Sequence, residues 1–107
     1  MVSTIAGSGA QGNTDGQCAT VAFYQPTGIV MDAAGNLFVT DSENETIRLI
    51  TPSGFVTTVA GNGLQESVDG NGHSAGFSNS LGITIDKNRI MYVLGNSGSK
   101  VRKITIQ

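Results

Sequence analysis

The sequence predicts an all-β fold built from two copies of one four-stranded unit, and three observations carry that expectation. Charged residues are 13% of the chain and glycines number 15 in 107 residues, about half the usual charged share and about twice the usual Gly content of roughly 7%. No stretch repeats apolar residues at helical spacing over three turns. The chain also aligns with itself, without a gap, at an offset of 54, from Val2 with Val56 to Thr51 with Thr105. A period near 50 residues suits propeller-type repeats and is too long for the common helical solenoid units.

Within the repeat, VSTIAGSGAQGNTDG lies over VTTVAGNGLQESVDG, PTGIVMD over SLGITID, NLFVT over IMYVL and TIRLIT over KVRKIT. Four turn-bounded, β-prone runs follow in each copy: 2–6, 28–32, 37–40 and 46–51, then 55–60, 82–86, 90–94 and 100–105. Consecutive runs are expected to pair as antiparallel hairpins, since Ala33-Ala34-Gly35-Asn36, Glu43-Asn44-Glu45 and Thr51-Pro52-Ser53-Gly54 are turn material. Four strands per unit make a β-propeller blade. The long connections, 7–27 and 61–81, are expected as coil, with a helical turn near 19–23. One domain is expected over 1–107, with repeat 1 at about 2–54 and repeat 2 at about 56–107.

Composition narrows function by exclusion. Net charge is −2 and the six Lys and Arg are scattered, so a nucleic-acid partner is not expected. No apolar window of membrane length exists and MVSTIAGSGAQG lacks the layout of a signal peptide, so a soluble chain with no membrane partner is expected; the compartment stays open. Cys18 is the sole cysteine and reads as a packed or loop thiol.

Chemistry motifs are sparse. Gly7-Ser8-Gly9-Ala10-Gln11-Gly12 imitates a dinucleotide fingerprint, but turn sequence follows where a helix is required. His73 is the only histidine and reads as a solvated loop residue, so no catalytic triad or transition-metal site is expected, and no cofactor. Asp15 and Asp69 read as turn-stabilising side chains rather than calcium ligands. Arg48 and Arg102 recur at one repeat position, which favours a structural role. The acidic run 41–46 reads as a solvated hairpin tip, with ligand contact as the minority reading, and Asn44-Glu45-Thr46 is a glycosylation sequon. The candidate binding residues, all in loops on one face, are Asp41, Glu43, Asn44, Glu45, Asn96 and Lys100.

The first copy resembles the NHL repeat family, through Val2, Thr4, Ala6, Gly7, Gly9, Asp15-Gly16, Phe23, Pro26, Gly28-Ile29, Asp32, Gly35-Asn36-Leu37-Phe38-Val39, Asp41 and Ile47-Arg48-Leu49-Ile50. In the second copy Ser80 replaces Pro, Asn88-Arg89-Ile90 replaces Gly-Asn-Leu, and Gly95 replaces Asp. The resemblance implies that 28–32 lines a central channel and 2–6 is an outermost strand. It implies a noncatalytic recognition or scaffold module, serving a protein or carbohydrate partner. Because such propellers are most often six-bladed, it further implies a homotrimer closing one ring, with a tetramer as rival and strand 2–6 entering the neighbouring copy. The alternatives are an engineered or excised fragment whose only activity is self-assembly, and a lyase-like enzyme propeller, which would need more histidines than one per chain.

Overall fold

The computed structural model describes residues 1–61, 80–95 and 101–105; the side chains of residues 80, 81 and 95 are not described. Among the described residues eight strands form two antiparallel sheets: β1 (Gly16–Gln17), β2 (Pro26–Met31), β3 (Leu37–Asp41), β4 (Thr46–Ile50), β5 (Phe55–Ala60), β6 (Ser80–Ile85), β7 (Ile90–Gly95) and β8 (Val101–Thr105). The first sheet has the order β1-β5-β4-β3-β2 and the second β6-β7-β8. Helical structure among the described residues is a single 3-10 turn, Ser42–Asn44, so no helix there is long and apolar enough to cross a membrane.

The expected antiparallel pairing holds for β2–β3, β3–β4, β4–β5, β6–β7 and β7–β8, and the β2–β3 and β6–β7 turns supply their own polar caps. Asp32 closes the β2–β3 turn: its Oδ1 accepts from the Ala34 and Asn36 N–H groups at 3.0 and 2.9 Å, and Oδ2 accepts from the Asn36 amide at 3.0 Å. Gly35 takes the left-handed position at φ +89°. The β6–β7 turn repeats the device, with Asp86 Oδ1 accepting from Asn88 and Ile90 N–H, although Arg89 occupies the left-handed position at φ +63°. The missing Gly is therefore replaced at a cost in backbone strain, and not by another turn type. The Arg89 guanidinium lies 3.3 Å from Asp32, linking the two turns.

The two β-hairpin ladders differ at their outer edge. In the first sheet β4 pairs with β5, so the blade 26–60 draws its fourth strand from the start of the second repeat. The second sheet ends at β8 among the described residues. Residues 2–6, expected as a strand, lie outside any strand, with Val2 98% exposed. The reason is geometric: β4, the third strand of their own repeat, already pairs with residues 55–60. The expected coil of 7–27 contains a two-residue strand, β1, against β5. In place of the helical turn expected near 19–23 there is a hydrogen-bonded turn at 18–20, with Val21 N–H donating to Gln17 C=O at 3.1 Å.

Alternation along the strands sorts apolar residues into two layers. Val30, Phe38, Ile47, Leu49, Val59 and Ala60 of the first sheet pack on Ile83, Ile85, Met91, Val93 and Ile104 of the second. On the opposite side of the first sheet, Val39, Ile50 and Val56 are covered by Ala6, Cys18, Val21 and Phe23 of the long connection.

Candidate functional site

The densest polar constellation gathers around Arg48, on the connection side of β4. Register places Val39 opposite Arg48, so the guanidinium rises between the first sheet and the 7–25 connection, where it is wholly buried. Its Nη1 donates to Ala22 C=O and to Asp41 Oδ2, both at 2.9 Å. Nη2 donates to Thr14 C=O at 2.7 Å and to Asp15 Oδ1 at 3.0 Å. The Phe23 ring lies 4.9 Å from the guanidinium carbon, a cation–π distance. One side chain thus anchors a Gly-rich segment beside the apolar contacts of Val21 and Phe23. The bidentate fork and five donors of Arg suit that task; a Lys point charge would not.

Asp41 completes the anchor. Its Oδ1 accepts the Tyr24 N–H at 2.7 Å and Oδ2 accepts the Asn44 amide at 2.6 Å as well as Arg48. Asn44 also donates to Gly12 C=O. Asp15 is not the local turn cap expected: its carboxylate reaches the Thr58 N–H and hydroxyl, at 3.2 and 3.0 Å, and so staples the connection to β5.

The solvated-tip reading of 41–46 is corrected by these contacts. Asp41 and Glu45 are buried, Asn44 is half-buried and Glu43 is exposed. Tight packing follows from Glu45 taking a left-handed conformation at φ +59° to end the 3-10 turn. Of the candidate binding residues, the structure brings Asp41 and Asn44 together inside the anchor and presents Glu43 to solvent. Asn96 and Lys100 lie outside the described residues, as do His73 and Asp69. The sequon asparagine has its amide engaged by Asp41 and Gly12, so a glycan there would have to dismantle the anchor. Among the described residues no group of three or more His, Cys, Asp or Glu is arranged to hold a metal ion.

Sequence reasoning found Arg48 through its recurrence at Arg102, but not its partners. Asp41 was missed as a partner because the second copy has Gly95 there.

No curated protein matches the sequence. Residues 23–48 match the family model of the NHL repeat. Among solved structures, an auxiliary nutrient binding protein from Bacteroides thetaiotaomicron is 28% identical with a TM-score of 0.81, over 94% of this chain and 28% of that one. Its counterpart from Bacteroides ovatus is 29% identical with a TM-score of 0.80, over 90% and 26%. A structural genomics protein of unknown function from Bacteroides thetaiotaomicron is 26% identical with a TM-score of 0.86, over 92% and 26%. The chain therefore spans little more than a quarter of the length of the structures it matches. Residues 23–48, which carry the Asp41–Arg48 anchor, are an NHL repeat, and the two sheets are blades of the NHL-type β-propeller fold.

Proposed function

We propose that the chain is a noncatalytic propeller module whose blades stack with further blades into a closed ring and present their loop face to a protein or carbohydrate partner. A correspondence between surfaces carries this reading. Shifted by one repeat, Phe38, Thr40, Ile47 and Leu49 of the first sheet's junction face become Tyr92, Leu94, Val101 and Lys103, on the outward side of the second sheet. Ile83, Ile85, Met91 and Val93 of the second sheet's junction face correspond to Ile29, Met31, Leu37 and Val39 on the far side of the first, where the long connection covers Val39 and leaves Ile29 and Met31 exposed. The exposed part of each such face is thus the repeat counterpart of residues that pack at the junction between the two sheets.

Exposure shows what stacking would gain. Phe38 and Ile47 are fully buried, whereas Tyr92 and Val101 are 36% and 69% exposed; Ile29 and Met31 are 56% and 61% exposed. Removing several hundred Å² of such surface per junction, at about 25 cal/mol per Å², favours association by several kcal/mol. A head-to-tail contact that repeats by rotation ends when the ring closes. Three copies of two blades give six, the favoured number, and four give the eight-bladed rival. A binding role is supported by the two similar structures being auxiliary nutrient binding proteins. Light scattering tests the stacking: the expected particle has three times the 11.0 kDa chain mass, and a native single-chain particle at micromolar concentration would defeat it.

A further inference from the structure

We infer that Gln25, with Glu43 beside it, is a contact for a neutral carbohydrate on the loop face. The inference rests on the recognition role proposed above and names its ligand class. Among the described residues three other than glycine take the left-handed conformation, Gln25, Glu45 and Arg89, at φ +57°, +59° and +63°. Two of them serve the fold. The Glu45 N–H donates to Ser42 C=O to end the 3-10 turn, and the Arg89 N–H donates to Asp86 C=O while its guanidinium reaches Asp32. Gln25 differs: it is exposed, and among the described residues its side chain makes no hydrogen bond or ion pair. Left-handed backbone strains any residue with a Cβ, and a residue before proline, as Gln25 is before Pro26, is steered to extended backbone. Glycine would be the less strained choice there. By sequence the same repeat position in the second copy is Asn79, again a carboxamide. Strain that serves no contact within the chain marks a side chain held for something outside it.

The main chain around Gln25 is fixed. Tyr24 C=O accepts the Glu43 N–H at 3.0 Å, and Gln25 C=O accepts the Ser42 N–H at 3.3 Å. Asp41 Oδ1 takes the Tyr24 N–H at 2.7 Å, and the Thr27 hydroxyl meets those of Thr40 and Ser42 at 3.2 and 2.5 Å. These bonds set Gln25 and Glu43 on one rim, both exposed. A rim ordered before its ligand arrives loses less entropy on binding.

The chemistry of this rim suits hydroxyl groups. A carboxamide offers an acceptor oxygen and a two-proton donor nitrogen together, and a carboxylate adds further acceptors. Adjacent sugar hydroxyls, each both donor and acceptor, satisfy that set. The Glu43 charge repels acidic ligands, which selects a neutral sugar. The exposed residues of 24–27 and 42–45 are Gln25, Pro26, Thr27 and Glu43, with no large apolar side chain among them, whereas a protein partner is typically anchored by aromatic or Arg side chains in desolvated pockets.

Binding to a printed array of neutral oligosaccharides, read beside thermal unfolding, tests the assignment. Gln25→Gly removes the carboxamide and relieves the backbone. It is expected to raise the thermal midpoint by about 4 °C or more and to weaken array binding about tenfold, the share of one or two hydrogen bonds. Glu43→Ala should weaken binding as well. A Gln25 that serves only the fold would give a lowered midpoint in Gln25→Gly; that result, or sugar binding equal to the parent's, overturns the proposal. A parent that binds no sugar on the array, or that captures an extended-peptide library instead, also overturns it. In those cases a particle larger than one chain by light scattering would still leave the ring reading of the proposed function standing, so the two failures are told apart.

Discussion

Arg48 and Asp41 meet at 2.9 Å with both side chains wholly buried, at the point where the long connection crosses the first blade. The pair has its remaining hydrogen-bonding capacity largely filled by Ala22, Thr14, Asp15, Tyr24 and Asn44. Burial makes such a pair expensive to break from one side, because the survivor keeps its desolvation cost.

Arg48→Ala should therefore cost about 3–5 kcal/mol of stability, the usual penalty for stranding a buried charge. Arg48→Lys should recover only part, since one ammonium cannot reach four acceptors arranged for a planar fork. Urea unfolding followed by tryptophan-free probes such as far-ultraviolet dichroism reads both; a midpoint unchanged in Arg48→Ala would remove the anchor from the account.

Gly61 should be less replaceable than Gly54. Both are left-handed, at φ +105° and +95°, but a Cβ on Gly61 would press on Glu45 C=O and lie 2.8 Å from Thr46 Cα, whereas one on Gly54 meets open space. Gly54→Ala should cost about 1–2 kcal/mol for the left-handed backbone alone, and Gly61→Ala more. Equal thermal midpoints for the two variants would contradict this.

Asp32 gives the stability a pH dependence with a defined sign. The Asn36 side-chain hydrogen bond, helped by the Asn36 and Ala34 N–H groups and Arg89, holds its carboxyl below the ordinary aspartate range. A depressed folded-state value means that stability is fully present above the unfolded value of about 3.9 and lost as pH falls through the folded one. Asp32→Asn should be less stable than the parent at pH 7, with the gap narrowing on acidification. Parallel stability curves between pH 6 and pH 3 would refute it.

Ile29→Asp and Leu94→Asp should each shift the particle toward one chain mass without unfolding it, because each residue is exposed in the single chain, at 56% and 55%, and would face a neighbouring blade in a ring. Deleting residues 1–6 should have the same effect. An unchanged mass in light scattering for all three would count against stacking.

Much of the fold was legible because its signals are local. The Asp32 and Asp86 turns, the runs at 37–40 and 55–60, and the repeat that equates them depend on neighbours in sequence, so turn chemistry and period-2 alternation suffice to read them. The Arg48 recurrence pointed to a structural role for the same reason. Tertiary structure alone decided the rest. Which strand completes a blade is decided by pairing between the repeats: β4 takes residues 55–60, and Val2 and Ile5 are left exposed. Asp41 looked like part of a solvated acidic tip because its partners Tyr24 and Arg48 lie 17 and 7 residues away, and Asp15 looked like a turn cap because Thr58 lies 43 residues away. Charge is buried where distant backbone converges to solvate it, and that convergence has no signature in a single stretch of sequence.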